Sequence, residues 1–358
     1  MSRCLVIAEA GVNHNGSPEM AAALVRAAAD AGADVIKFQT FKADKLAVKS
    51  APKADYQRRT TGEAETQLEM LRRLELSEAT HHSLVEQCRL LGITFLSTPF
   101  ELDSLHFLTS RLGLDTIKIP SGEMLNAPLL LATAQSGVNI ILSTGMSDLQ
   151  EVEQALGVLA HGYLADSTCP PSRQAFAAAW ASPGARTILA QKVCLLHCTT
   201  EYPASFDSVN LRAMDTLAAA FGLKVGFSDH TLGIAAPLAA VARGACVVEK
   251  HFTLDRTLPG PDHEASLTPV EFAAMVRGIR EVEDCLGDGI KQPAPCELPN
   301  RRVARKSLVA LRPIGRGELF TVENLGVKRP GTGVSPLEYY DRLGQPAEHD
   351  FAQDEVLV

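Results

Sequence analysis

Eight short apolar runs, each ending in small or polar residues, recur through the first 253 residues of this 358-residue chain, and they restrict its architecture more than anything else in it. They are LVIAEAG from Leu5, VIKFQ from Val35, TFLSTPF from Thr94, TIKIPSGE from Thr116, NIILSTGM from Asn139, VCLLHCTT from Val193, KVGFSDH from Lys224 and CVVEKHFT from Cys246. Runs this short, β-branched and continuously apolar suit strands buried on both faces of a parallel sheet. Between them lie Ala- and Leu-rich stretches of helical period. PEMAAALVRAAADAG follows Ser17 as N-cap, with Pro18 at the first helical position, and ends at Gly32. SDLQEVEQALGVLA takes Ser147 as N-cap, with Asp148 and Glu151 set against the helix dipole. Eight strands alternating with helices predict an α/β fold, a (β/α)8 TIM barrel. The alternative, an open doubly wound sheet, is disfavoured because no Gly-rich dinucleotide fingerprint follows the first strand.

Two regions break the rhythm. Residues 46–74 form a charged and polar excursion after the second strand, expected as loop and helix over the barrel mouth, and residues 163–191 lengthen the approach to the sixth strand. Connections this long are surface decoration or lids, and both readings stay open for each. After the helix PVEFAAMVRGIREVEDCLG comes the Pro-rich GIKQPAPCELPN, and then short strands with tight Gly turns. The expected division is a barrel over 1–290, a linker over 291–300 and a small β-rich domain over 301–358.

A net charge of −8 supplies no sustained basic field, which argues against nucleic acid or an acidic membrane as partner. Local lysines and arginines can still hold a small anion. The opening MSRCLVIAEAG lacks the apolar core of a signal peptide, no run is long enough to cross a bilayer, and the eight cysteines form no CxxC pair. A reduced, cytoplasmic protein is the simplest expectation.

In such a barrel the chemistry gathers at the C-terminal ends of the strands. Strand one presents Glu9, Asn13 and His14 there, strand two Lys37 and Gln39, strand three Ser97 and Thr98, and strand four Lys118, Ser121 and Glu123. Strand five presents Ser143 and Thr144, strand six Thr199, Thr200 and Tyr202, strand seven Ser228, Asp229 and His230, and strand eight Glu249, Lys250 and His251. Any one of these has a structural role as its ordinary reading. Together they must pair with one another or with a ligand, because each costs a few kcal/mol if buried alone, roughly 1–3 on mutational scales. Lys37 and Lys118 can hold a phosphate or carboxylate, with Ser121, Ser143, Thr144 and the N–H groups of Gly122 and Gly145 completing an anion cradle. His230 and His251 end neighbouring strands. They read either as ligands of one divalent ion at an open site or as hydrogen-bonded rim residues.

The motifs IAEAGVNHNGS, AGADVIKFQT, FLSTPF, KIPSGE, ILSTGM, GFSDHT and EKHFTLDRTLPGPDH, in this order, resemble the bacterial sialic acid synthase family. ARKSLVA and IGRGELFTVENLGVKRPGTG resemble that family's appended antifreeze-like (SAF) domain. The resemblance implies a phosphoenolpyruvate-dependent carbon–carbon bond-forming synthase acting on an N-acetylated amino sugar. It also implies a domain-swapped homodimer and a divalent metal, manganese first, with magnesium or cobalt as substitutes. Carried onto this chain, it gives His230 and His251 as metal ligands and Lys37, Lys118, Ser121, Ser143 and Thr144 as phosphoenolpyruvate contacts. Glu9, Glu123 and Tyr202 take catalytic roles, with either glutamate the candidate for handling protons. Gln39, Thr200, Asp262 and Arg329 face the sugar, Arg329 across the dimer.

CTTEYP carries Thr200 where many N-acetylneuraminate synthases have Asn, and the long 163–191 segment is more like that of relatives acting on diacetamido-trideoxy hexoses. The expected acceptor is N-acetylmannosamine, giving N-acetylneuraminate, with 2,4-diacetamido-2,4,6-trideoxymannose and legionaminic acid as the alternative. More remote rivals are a 3-deoxy sugar-acid phosphate synthase and a non-enzymatic carbohydrate-binding protein.

Overall fold

The computed structural model describes residues 3–62, 65–164 and 169–358, which divide into two compact units, Met1–Gly287 and Asp288–Val358. In the first, eight parallel strands run β1 Leu5–Gly11, β2 Val35–Thr40, β3 Thr94–Pro99, β4 Thr116–Ile119, β5 Asn139–Ser143, β6 Val193–Cys198, β7 Lys224–Asp229 and β8 Val247–His251. Their order is β3-β2-β1-β8-β7-β6-β5-β4, so the first strand pairs with the last, and β3 lies beside β4 to complete the circle. This is the (β/α)8 barrel expected from the strand–helix alternation.

The strands are buried on both sides, and the two sides carry different chemistry. Side chains alternate along a strand, so every second residue enters the barrel and the rest pack under the helices. Ile7, Val35, Leu96, Ile141, Leu196 and Val247 form an apolar plug inside the barrel, with Leu5, Cys194 and Cys246 beneath it. Gly226 completes the plug by leaving room. A Cβ there would lie 2.4 Å from the Val247 carbonyl oxygen and 2.7 Å from Leu196 Cδ2. Two residues further up the same strands the interior turns polar, at Glu9, Lys37, Thr98, Ser143, Ser228 and Glu249. On the outward face Lys250, wholly buried, donates to Asp229 Oδ2 at 2.5 Å and to the Thr231 carbonyl. Of the strand-end residues, Lys250 and Asp229 thus serve the barrel wall and are turned away from its mouth.

The helix Pro18–Asp30 is capped as its sequence requires, Ser17 Oγ accepting from the Met20 N–H. The helix Leu149–Leu164 departs from expectation. Asp148, not Ser147, caps it, with Asp148 Oδ1 accepting from Glu151 N at 2.9 Å and Glu151 Oε2 accepting from Asp148 N at 3.0 Å. The two excursions differ in placement. Residues 46–74 include the helices Asp55–Thr61 and Gln67–Leu74 and border the barrel mouth. The 163–191 region, whose residues 165–168 lie outside the described set, continues as the helices Arg173–Ala181 and Pro183–Lys192. These pack on the outer wall, where Trp180 stands edge-on to Phe221 at 6.0 Å between ring centroids. These two helices are decoration of the outer wall and not a lid.

The second unit has its own core of Leu308, Ala310, Ile314, Phe320, Leu325, Ala347, Phe351 and Leu357. Its strands β9 Ser307–Ala310 and β10 Leu325–Lys328 pair antiparallel, with further bridges such as Ile314 to Phe351. The stretch read as linker is partly helical, since Leu298–Ala304 forms a helix crossing the expected boundary at 300. Pro299 in its first turn starts that helix rather than breaking it. No helix among the described residues is long and apolar enough to cross a membrane.

Candidate active site

The polar layer inside the barrel forms the floor of a cavity of about 720 Å³ at the C-terminal ends of the strands. Lys37 Nζ sits 2.7 Å from Glu9 Oε2, 3.8 Å from Glu249 Oε2 and 3.0 Å from Thr98 Oγ1. Lys118 Nζ donates to Glu249 Oε1 at 3.2 Å, and Ser228 Oγ donates to the same oxygen at 2.9 Å. Both lysines and both glutamates are at most 5% exposed. Ions this deep persist only when paired, and here each ammonium faces a carboxylate. Burial pushes the Glu249 carboxyl up, but Lys118 and Lys37 outweigh it and hold it well below the usual range. Glu9 moves the other way, because burial raises it and Lys37, shared with Glu249, compensates only in part. Burial lowers Lys118, whereas for Lys37 the Glu249 and Glu9 carboxylates overcome burial and raise it.

Above the floor stand His230 and His251, ring centroids 5.5 Å apart, with the Tyr202 ring 4.1 Å from His230 and 5.4 Å from His251. Burial keeps both imidazoles neutral, lowering His230 to about 4 and His251 well below its usual value. His230 Nδ1 donates to the Thr199 carbonyl at 2.6 Å, which leaves its Nε2 lone pair free of a proton. His251 Nδ1 is buried without a hydrogen-bond partner, and Asp262 Oδ2 is 3.9 Å from it. No group of three or more His, Cys, Asp or Glu is gathered as a ready metal cage among the described residues. The donors present, two neutral imidazoles with an orphaned nitrogen and a nearby carboxylate, fit a divalent ion that keeps open positions for water or substrate oxygens.

Asp262 is placed from a distance. Its backbone carbonyl accepts from Ser266 Oγ at 2.6 Å, and Asn13 Nδ2 donates to Ser266 Oγ and to the Phe252 carbonyl, each at 2.9 Å. Asn13 is therefore a brace between the loops after β1 and β8. Burial raises the Asp262 carboxyl to about 6, with Lys37 opposing.

Of the residues to which the resemblance gives a role within one chain, Glu9, Lys37, Gln39, Lys118, Ser121, Glu123, Ser143, Thr200, Tyr202, His230, His251 and Asp262 line this one cavity. Thr144 does not. It is buried with its N–H and Oγ1 both directed to the Leu196 carbonyl, at 2.9 and 3.0 Å, so it braces β5 against β6. Arg329 belongs to the second unit, where its Nε donates to the Ala304 carbonyl. The expected cradle is also altered, because the Gly145 N–H is taken by Ser121 Oγ at 2.9 Å. A Cβ at Gly145 would come within 2.3 Å of Thr200 Oγ1 and 2.8 Å of Ser121 Oγ, so only glycine lets both hydroxyls close on this turn. Ser143 Oγ is buried without a partner and remains available. Sequence reasoning gave no role to Glu249 or Thr98, which hold the lysines, nor to the apolar residues 46–74 contribute. The parity of His251 along β8 was the available signal for Glu249, and no residue assigned on β3 gave one for Thr98.

A model of the NeuB family matches residues 24–291, and one of the SAF domain matches residues 305–358. The chain is similar to the N,N'-diacetyllegionaminic acid synthase of Campylobacter jejuni subsp. jejuni serotype O:2, 47% identical over 357 residues, which cover 100% of this chain and 99% of the relative. It is equally similar to the N,N'-diacetyllegionaminic acid synthase of Legionella pneumophila subsp. pneumophila, 47% identical over 99% of this chain and 93% of the relative. Among solved structures it resembles the N-acetylneuraminic acid (sialic acid) synthetase of Leptospira borgpetersenii serovar Hardjo-bovis in complex with citrate. The TM-score is 0.66 at 32% identity, covering 84% of this chain and 90% of that one.

Proposed function

The chain belongs to the NeuB family and carries a SAF domain, and on that premise we propose that it condenses phosphoenolpyruvate with 2,4-diacetamido-2,4,6-trideoxymannose, yielding N,N'-diacetyllegionaminic acid and phosphate. The observation that carries the reaction is the convergence of Lys37 and Lys118 beneath the His230–His251 pair in one cavity. The acceptor reverses the order expected from sequence, where N-acetylmannosamine stood first. Both diacetyllegionaminic acid synthases are 47% identical to this chain over nearly all of it, against 32% for the neuraminic acid synthetase structure. The helices Arg173–Ala181 and Pro183–Lys192 lie on the outer wall and do not line the cavity, so they give the acceptor no direct contact. Thr200 does line the cavity and keeps its bearing on the acceptor.

Lys37 and Lys118 would neutralise the phosphate and carboxylate of phosphoenolpyruvate, with Ser121 and Ser143 hydroxyls adding hydrogen bonds. His230 and His251 would hold a divalent cation, manganese first, which supplies Lewis-acid polarisation of the aldehyde oxygen. C3 of phosphoenolpyruvate then bonds to the aldehyde carbon, and the aldehyde oxygen takes up a proton. Water adds at C2, giving up its proton to Glu9 or Glu123, both of which line the cavity. The resulting tetrahedral carbon collapses to the ketone as its bond to the phosphate oxygen breaks. The same reading makes the protein a homodimer, and a monomeric mass by sedimentation equilibrium would remove that part.

The test is a mass-spectrometric product assay. Purified full-length protein, phosphoenolpyruvate and manganese are mixed with equal amounts of the two acceptors. The expected product is N,N'-diacetyllegionaminic acid, formed only with added metal. N-acetylneuraminate as the main product, or turnover only with a phosphorylated aldose, would overturn the assignment.

A further inference from the structure

The cavity has two unlike halves, and the mechanism uses one of them. Opposite the charged floor, the helix Gln67–Leu74 turns Gln67, Met70, Leu71 and Leu74 into the cavity, an i, i+3, i+4, i+7 stripe that gives one face of a single helix. Val12 and Phe100 lie on the same side, and Val12, Met70 and Leu74 belong to one buried cluster with Leu46, Leu71 and Phe100 packed against it. The helix sends its charges the other way, Arg72 to Asp44 and Arg73 to Glu65. Lys53, the buried lysine of this region, gives its ammonium to Thr61, the Gly62 carbonyl and Glu65 and does not line the cavity. Among the described residues, then, no cation lines this half.

We infer that Leu46, Leu71 and Phe100 form the surface that selects the acceptor, by receiving the methyl-bearing end of a 6-deoxy, N-acetylated sugar. This rests on the proposed reaction and deepens it. The aldehyde end of an open-chain acceptor must lie at the polar floor, where the lysines and histidines are. The far end, C4 to C6, is what meets the apolar stripe. A C6 methyl and an acetamido methyl lose water there at no polar cost. A C6 hydroxymethyl would set a hydroxyl against Leu46, Leu71 and Phe100, with Gln57 and Gln67 the polar side chains on that side, and a C6 phosphate would meet no cation of this chain among the described residues there. Hydrophobic pockets separate ligands differing by one such group by roughly 10–200-fold, the scale of selectivity assigned to this wall. Met70 and Leu74 hold the stripe from behind, each at most 2% exposed, whereas Leu46 and Leu71 are half-buried and can be changed without opening the cluster.

The experiment compares kcat/KM for 2,4-diacetamido-2,4,6-trideoxymannose and for N-acetylmannosamine in the full-length wild type, Leu71→Gln, Leu46→Gln and Leu71→Met. The KM for phosphoenolpyruvate is measured alongside, and folding is checked by circular dichroism and thermal melting. The expected result is a wild-type preference for the diacetamido acceptor. Either glutamine variant should shrink that preference by about tenfold, with the phosphoenolpyruvate KM unchanged, and Leu71→Met should retain it. A wild type that uses the diacetamido acceptor but whose preference survives in both folded glutamine variants overturns the wall and leaves the reaction standing. A wild type that prefers N-acetylmannosamine overturns both.

Discussion

At Glu249 the chain places one carboxylate between two ammonium groups at the buried floor of the cavity. Its Oε1 accepts from Lys118 and Ser228 while its Oε2 is 3.8 Å from Lys37. Removing it leaves Lys37 and Lys118 as like charges with Glu9 alone to balance them. Breaking a buried pair in this way costs about 3–5 kcal/mol, because the surviving charge keeps its desolvation penalty. Glu249→Ala is therefore expected to lower unfolding stability by about that amount in urea denaturation without metal or substrate. A loss below about 1 kcal/mol would mean that the lysines find other partners or water. Glu249 also shows where reading the sequence stopped short. His251, assigned from its strand-end position, fixes the parity of β8, and the residue two positions earlier must share its side of the barrel. The glutamate was legible from that rule, but its pairing with lysines from β2 and β4 was not, since it depends on the stagger of strands far apart in sequence.

Among the elements, the strands were the easiest to read and the excursion over the mouth the hardest. Continuous apolar runs such as LVIA and VCLL identify β1 and β6 because both faces are buried. The helix Gln67–Leu74 sits in a segment whose charges suggested loop as much as helix, and only its placement gives its apolar stripe something to face. Its N-terminus is nevertheless written locally. Thr66 Oγ1 accepts from the Glu69 N–H at 3.2 Å and Glu69 Oε2 accepts from the Thr66 N–H at 2.8 Å, a reciprocal capping box. Thr66→Ala should cost about 1 kcal/mol, felt by this helix rather than by the barrel. The expected readout is faster hydrogen exchange at amides 67–74 and a higher acceptor KM, with the phosphoenolpyruvate KM unmoved. Uniform loss of protection across the barrel strands would show instead that the helix is integral to the barrel's stability.

Across the whole barrel unit, three buried histidines and one half-buried one stand in neutral form away from the paired imidazoles, and they tie its stability to pH. Burial lowers His14 and His263 to about 4 and also lowers His81 and His197. Each is built into hydrogen bonds that suit the neutral ring. His14 Nδ1 accepts from the Gly16 N–H, His81 bridges Thr40 and the Ser77 carbonyl, His263 meets Thr253 and Asn15, and His197 Nε2 reaches the Val209 carbonyl. In the unfolded chain these rings take up protons near pH 6.5, but in the folded one only at lower pH. Between those limits the unfolded state binds more protons, so unfolding becomes easier as pH falls, and the contribution is complete above about 6.5. Each ring that titrates fully in one state and not the other adds a slope of up to about 1.4 kcal/mol per pH unit. The melting temperature of the barrel, with metal removed by a chelator so that His230 and His251 are not tied to an ion, should therefore drop from pH 6.5 to 5, with the raised Glu9 and Asp262 carboxyls, which take up protons first in the folded state, opposing part of the fall. A melting temperature flat across that interval would mean that the folded state accommodates the charged rings and that their burial does not resist protonation.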